Sequence, residues 1–257
     1  MTAPLIRRVA AEALGTCLLV AVVVGSGIQA TELTRDVGVQ LLANSLATVL
    51  GLGVLITLLG PVSGAHFNPV VTLAAWLTDR RGGRGPGPRD VAAYVPAQIG
   101  GAVAGAVLAD AMFARPLVHF STHDRSTGHL LLGELVATAG LTLLVFGLAR
   151  TGRAHLAPAA VAAFIGSAYW FTSSTSFANP AVTIGRAFTD TFAGIAPASV
   201  APFIAAQSAG AALGLALTTV VFGRSTPTLV PAPADEPPLA AEDVGRRLSD
   251  RLRRGGI

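Results

Sequence analysis

Six apolar stretches of bilayer-crossing length constrain this chain more than any other feature of its sequence. They fall at residues 9–28, 37–62, 91–109, 130–149, 156–175 and 196–222, against a requirement of roughly 20 residues per transmembrane helix. The rest of the composition agrees. Only 12% of the 257 residues are charged, about half the share carried by a water-soluble domain, and the mean hydropathy is +0.62. So little charge cannot coat a water-facing surface. A disordered chain and a nucleic-acid binder are excluded despite a pI near 10.5, and a single cysteine, Cys17, excludes a disulfide scaffold. The class this predicts is an all-α, multi-pass protein with the lipid bilayer as its surroundings.

Arginine sets the orientation, because all eighteen basic residues are arginine. With the N-terminus inside, fourteen of them, Arg7, Arg8 and Arg150 among them, fall in inner segments, and Arg35, Arg115 and Arg125 fall outside. That bias puts both termini in the cytoplasm. Arg7 and Arg8 before an apolar run also fit a signal peptide, but Glu12 interrupts the run. Residues 226–238, rich in Pro and Ala, read as a linker. Residues 242–254 (EDVGRRLSDRLRR) read either as a short basic helix on anionic lipid or as a solvated tail. The charged, glycine-rich stretch 79–90 reads as a cytoplasmic connector, with a lid as the alternative.

Three landmarks recur in the same order in both halves. EALGTCLLV at 12–20 answers ELVATAGLTLLVFG at 134–147, HFNPVVTLA around Asn68 answers FANPAVTIG around Asn179, and AQ-x-x-GA-x-x-G occurs at 97–105 and 206–214. Three spans per half is an odd number, so the second half lies upside-down relative to the first, and a site forms where the repeats meet near the midplane. The layout expected is a first repeat over 1–113, an outer connecting loop over 114–128, a second repeat over 129–223 and a cytoplasmic tail over 224–257. The small residues of the third landmark let helices approach closely.

The Asn-Pro pairs follow interrupted stretches, 60–66 (GPVSGAH) and 172–176 (TSSTS), that do not suit a regular spanning helix. Asn is a good N-cap and Pro suits the first helical position. Each pair therefore starts a helix, over 68–78 and 179–188, whose length reaches about half a bilayer. Inverted symmetry brings the two N-termini together at the centre. Each carries about half a positive charge, so the centre repels cations, protons included. The amides of Asn68 and Asn179 serve there as donors, with Pro69, Val70, Pro180 and Ala181 beside them. Irregular backbone at membrane depth lines a water-filled cavity, so these pieces predict a narrow, neutral, hydrogen-bonding pore. For one motif alone, simple capping of a re-entrant helix is the alternative.

At these residues the sequence resembles the aquaporin superfamily, the major intrinsic proteins. Glu12, SGAHFNPVVT at 63–72, YVPAQIGGAVAGA at 94–106, Glu134 and SFANPAV at 176–182 carry the resemblance, which covers about residues 6–222. It implies six transmembrane helices plus two re-entrant half-helices, a pore in each protomer and a homotetramer. It also implies that Glu12 and Glu134 hold re-entrant backbone and that His66 braces its loop. As intramembrane carboxylates the two glutamates read alternatively as proton-relay groups.

The chain departs from the family at several positions. Val70 stands where the family has alanine, and it packs behind the Asn. Water channels of the family carry an arginine three residues after the second Asn; here that position is Val182, and Arg186 follows one helical turn further on, where it pairs with Asp190 or braces a loop. Positional counting gives Ser176 in the second loop, Ser167 on the fifth span, and Thr48 (or, in a shifted register, Leu50) on the second. A filter of Thr48, Ser167, Ser176 and Val182 holds no charge, no aromatic ring and no imidazole. Glycerol channels of the family place Asp beside the arginine, whereas here Thr183 follows Val182. Members with valine in place of the arginine resemble bacterial channels associated with arsenite.

The expectation is a passive channel in a bacterial inner membrane for small uncharged solutes, arsenous acid first among them, with water. The alternatives are a strict water channel whose arginine role falls to Arg186, and a secondary active transporter, which requires Glu12 or Glu134 to face the pathway. An occluded pore would leave a structural, junction-type role. The sequence has no H-E-x-x-H or G-x-S-x-G motif, so neither an enzyme nor a metal or other cofactor is expected.

Overall fold

A computed structural model describes residues 3–79 and 85–223. The expected tail linker and basic segment, and the middle of the 79–90 stretch, lie outside these residues. The chain forms eight α-helices among the described residues: α1 (Leu5–Leu33), α2 (Val37–Ser63), α3 (Pro69–Asp79), α4 (Pro88–Met112), α5 (Gly128–Arg150), α6 (Ala157–Phe171), α7 (Pro180–Arg186) and α8 (Pro197–Phe222). All but α3 and α7 are long and apolar enough to cross a membrane, α6 together with the 3-10 turn Ala154–Leu156 that leads into it. The architecture is therefore the expected one of six spans and two short re-entrant helices.

Local chemistry sets the helix ends. Asp36 caps α2 by accepting from the Val39 N–H at 2.9 Å, and α2 stops at Gly64, whose φ of +93° is left-handed. Residues Gly60 to Ser63, expected to lie outside any regular helix, are the last turn of α2. Pro61 removes one N–H donor, which a helix tolerates in its final turn when no continuation is needed. Helices α1 and α4 run beyond their apolar stretches at both ends, and their N-terminal extensions pair with each other. Arg8 donates to Asp90 at 2.8 Å, and Asp90 also accepts from the Gly87 N–H at 2.9 Å.

The two repeats pack by the same device. Gly101 and Gly105 of α4 lie against the carbonyl oxygens of Ala13 and Cys17 on α1, and Gly210 and Gly214 of α8 lie against those of Leu135 and Ala139 on α5. A Cβ at any of the four would overlap main chain that cannot move alone. The AQ-x-x-GA-x-x-G landmark thus brings α1 to α4 and α5 to α8 at backbone contact.

Helix α7 ends at Arg186, two residues short of expectation. The outer loop between α4 and α5 takes over the carbonyls beyond it: Ser121 N–H donates to Ala187 O and His119 N–H to Phe188 O, both at 3.1 Å. The same loop accepts the Ala196 N–H at His123 O, 2.7 Å away. Asp190 receives the Thr122 N–H at 2.9 Å, and that bond holds its carboxyl below the usual carboxylate range. The connecting loop is therefore strapped onto the second re-entrant segment.

Candidate functional site

Each Asn-Pro pair is preceded by backbone that an ordinary side chain adopts rarely. Ala65 and Phe67 have φ of 49° before Asn68; Ser176 and Ala178 have φ of 51° and 48° before Asn179. These are left-handed values at non-glycine residues, at matching offsets in the two repeats. Such strain persists only where surroundings over-determine it, and it concentrates at functional sites.

Two buried carboxylates do the over-determining. Glu12 accepts the N–H groups of His66 (3.0 Å) and Phe67 (2.7 Å), the Ser63 hydroxyl (2.6 Å) and the Gln98 amide (2.7 Å). Glu134 accepts the N–H groups of Phe177 and Ala178, both at 2.8 Å, and the Gln207 amide at 2.6 Å. Gln98 donates onward to Thr72 at 2.9 Å and Gln207 to Thr183 at 2.8 Å. His66 Nδ1 lies 3.1 Å from the Thr72 hydroxyl. Every one of these side chains except His66 is fully buried. In the sequence the AQ landmark reads as packing alone, which hides the roles of Gln98 and Gln207. Their signal was present, since the same Gln opens both copies of a motif whose other members are small.

The two asparagines do more than cap. Asn68 Oδ1 accepts from Val70 N–H (3.1 Å), and Asn179 Oδ1 from Ala181 and Val182 N–H (3.0 and 3.3 Å). Each amide nitrogen then crosses to the other loop: Asn68 Nδ2 donates to Ala178 O at 2.8 Å and Asn179 Nδ2 to Phe67 O at 2.7 Å. One hydrogen of each amide thereby locks the half-helices end to end. The second hydrogen of each amide has no partner among the described residues, and both asparagines line the central cavity.

That cavity measures about 320 Å³. One wall is apolar, with Leu52, Ile56, Leu141 and Val145 on it; the other carries the re-entrant backbone of residues 64–68 and 176–179. Ala157, Val161, Ile165 and Tyr169 line it at intervals of four along α6, a path of about 18 Å at 1.5 Å per residue. The cavity therefore covers more than half of a bilayer core about 30 Å thick.

The structure gathers some expected filter residues and not others. Thr48, Ser176 and Val182 line the cavity, while Leu50 is 69% exposed and faces away. The Ser176 hydroxyl is buried without a partner among the described residues. Ser167 does not reach the cavity: it is exposed and donates to Phe164 O at 2.8 Å. It stands two residues from the lining stripe, about 200° around the helix. Tyr169 occupies the place instead, with its hydroxyl 3.2 Å from that of Thr48. Thr48 already donates to Asn44 O at 2.8 Å, so Tyr169 is the donor between them. Val70 is buried and off the wall.

Arg186 adds a charge, and Tyr169 a ring, to the lining of a cavity whose four expected filter residues carry neither. Arg186 lies four residues after Val182 on the same face of α7, lines the cavity and is 3% exposed. Its Nε donates to Ala193 O, and its guanidinium carbon sits 3.4 Å from the centroid of the Phe177 ring. It makes no pair with Asp190, which the Thr122 bonds hold. Among the described residues no group of three or more His, Cys, Asp or Glu is placed to hold a metal ion.

Six spans, two half-helices joined through their asparagines and a cavity between them define a membrane channel. The chain belongs to the major intrinsic protein family, the aquaporin superfamily, whose family model matches residues 1–176. The aquaglyceroporin AqpS of Rhizobium meliloti (strain 1021) is 47% identical over 225 residues, covering 88% of this chain and 94% of that protein. The glycerol uptake facilitator protein of Pseudomonas aeruginosa is 30% identical over 277 residues, covering 92% and 96%. The crystal structure of the aquaglyceroporin from Plasmodium falciparum shares the fold, with a TM-score of 0.58 at 19% identity over 84% of this chain.

Proposed function

We propose that this chain conducts small uncharged polyhydroxy solutes passively, arsenous acid and glycerol foremost, together with water. It does so as a homotetramer in a bacterial inner membrane with both termini in the cytoplasm. The observation that carries the reading is Val182 on the wall of the cavity that Thr48 and Tyr169 also line. An arginine there would bring a fixed charge and five donors into the lumen; valine leaves room and an apolar surface. A neutral triol or polyol then slides along the apolar wall while its hydroxyls meet Asn68, Asn179 and the re-entrant backbone. The half-helix N-termini disfavour cations at that point. Glycerol joins the candidates through the names of the relatives, an aquaglyceroporin and a glycerol uptake facilitator.

A strict water channel is the second reading, favoured by Arg186 on the same wall. A proton-coupled transporter is disfavoured, because Glu12 and Glu134 lie off the cavity with their oxygens engaged by backbone and glutamine. Uptake of trivalent arsenite by cells expressing the chain tests this directly. Uptake is expected to exceed that of empty cells several-fold and to be unchanged by a protonophore. Uptake that collapses with the proton gradient would reject passive conduction.

A further inference from the structure

Arginine is almost never fully buried unless it is paired. Arg186 is 3% exposed, yet the ion pairs among the described residues are Arg8–Asp90, Arg115–Glu32 and His119–Asp190. Its Nε is taken by Ala193 O, and neither terminal nitrogen has a hydrogen-bond partner among the described residues. Arg125 repeats the arrangement one residue on. Its Nε donates to Gly194 O at 2.9 Å, and its guanidinium carbon lies 5.1 Å from the centroid of the same Phe177 ring.

The carboxylates nearby are hydrogen-bonded to neutral donors and not to either guanidinium: Glu134 accepts from the Phe177 and Ala178 N–H groups, Asp190 from Thr122, and Asp124 from Ser126 and Ser199. Of these, Glu134 acts on both arginines through its charge, one negative charge against two positive. Two guanidiniums, fixed through Nε on consecutive carbonyls of one loop, thus leave their forked donors unmatched, and Arg186 presents its own to the cavity.

The structure assigns this place, one helical turn beyond Val182, as a subsite for a small oxyanion. A planar guanidinium matches two oxygens of a phosphate-like or carboxylate group. Arg125 supplies the second charge behind it. The assignment rests on the cavity being the pore, and it adds that an oxyanion held there stands in the path of neutral solutes and slows them.

The test is titration of the purified, detergent-solubilised protein with inorganic phosphate at constant ionic strength in chloride, read by calorimetry. Saturable binding in the millimolar range is expected. Arg186→Gln, which keeps amide donors and removes the charge, is expected to weaken it at least about tenfold. Arg115→Gln, remote from the site, is expected to leave it unchanged. Arg186→Lys keeps the charge without the fork and guards against misfolding of the first variant; it is expected to bind more weakly than wild type. No saturable binding to the wild type, or equal binding by wild type, Arg186→Gln and Arg186→Lys, would overturn the subsite.

In parallel, glycerol flux into proteoliposomes of zwitterionic lipid is expected to fall by at least half at saturating phosphate, because the bound oxyanion occupies the lumen that glycerol must cross. The fall should vanish in Arg186→Gln. Phosphate binding without solute flux in any condition would reject the pore reading and leave the subsite standing. Solute flux indifferent to phosphate, with no binding, would reject the subsite alone.

Discussion

Val182→Arg is expected to lower glycerol and urea permeability at least about tenfold, a barrier increase of about 1.4 kcal/mol or more, while water permeability falls far less. Position 182 is 5% exposed and on the cavity wall, four residues before Arg186 on one face of α7. A guanidinium there enters the cavity that Thr48 and Tyr169 also line, narrows it, and places a second buried cation one helical turn from the first. Water, needing one donor and little width, passes such a constriction more readily than a triol. Val182→Met narrows the lumen without charge, so comparing the two variants separates width from electrostatics. Stopped-flow light scattering reads both. Solute permeability unchanged in Val182→Arg would move the limiting constriction away from α7.

Glu134→Ala is expected to be the most disruptive single change in the second repeat. It leaves the N–H groups of Phe177 and Ala178 and the Gln207 amide without their acceptor. Unsatisfied buried donors cost roughly 1–3 kcal/mol each, so a loss of at least about 3 kcal/mol is expected. The loss concentrates on a loop already holding Ser176 and Ala178 at left-handed φ. Thermal denaturation in detergent should show a clearly lower midpoint, with solute flux abolished, and Glu134→Gln, which retains one acceptor oxygen, should be milder. A wild-type midpoint for Glu134→Ala would mean that the carboxylate does not hold the loop. Glu12→Ala carries the same expectation in the first repeat, where four donors converge on one carboxylate.

The spans, the inverted repeat and both half-helix starts were legible because each has a strong local cause: apolar length, repeated landmarks, and a cap followed by a proline. Which side of a span faces the pore was not. A membrane helix is apolar all round, so no polar stripe marks its lining face. Counting residues placed Ser167 there, and a two-residue offset put it outside while Tyr169 took the wall. The left-handed residues were invisible for a different reason: Ala65, Phe67 and Ala178 carry no side-chain signature of positive φ, which buried glutamates remote in sequence impose. Arg186 was seen as a cation with two possible uses. Only the packing around Phe177 and Ala193 decides that it braces a loop beside the cavity.

Stopped-flow light scattering on proteoliposomes, comparing glycerol, urea and water with no ion gradient across the membrane, tests passive solute conduction most directly. Glycerol and urea fluxes well above those of protein-free vesicles, alongside water, are expected. Fast water flux with both solutes excluded would contradict solute conduction, and would make Arg186, rather than the open wall at Val182, the group that decides what passes.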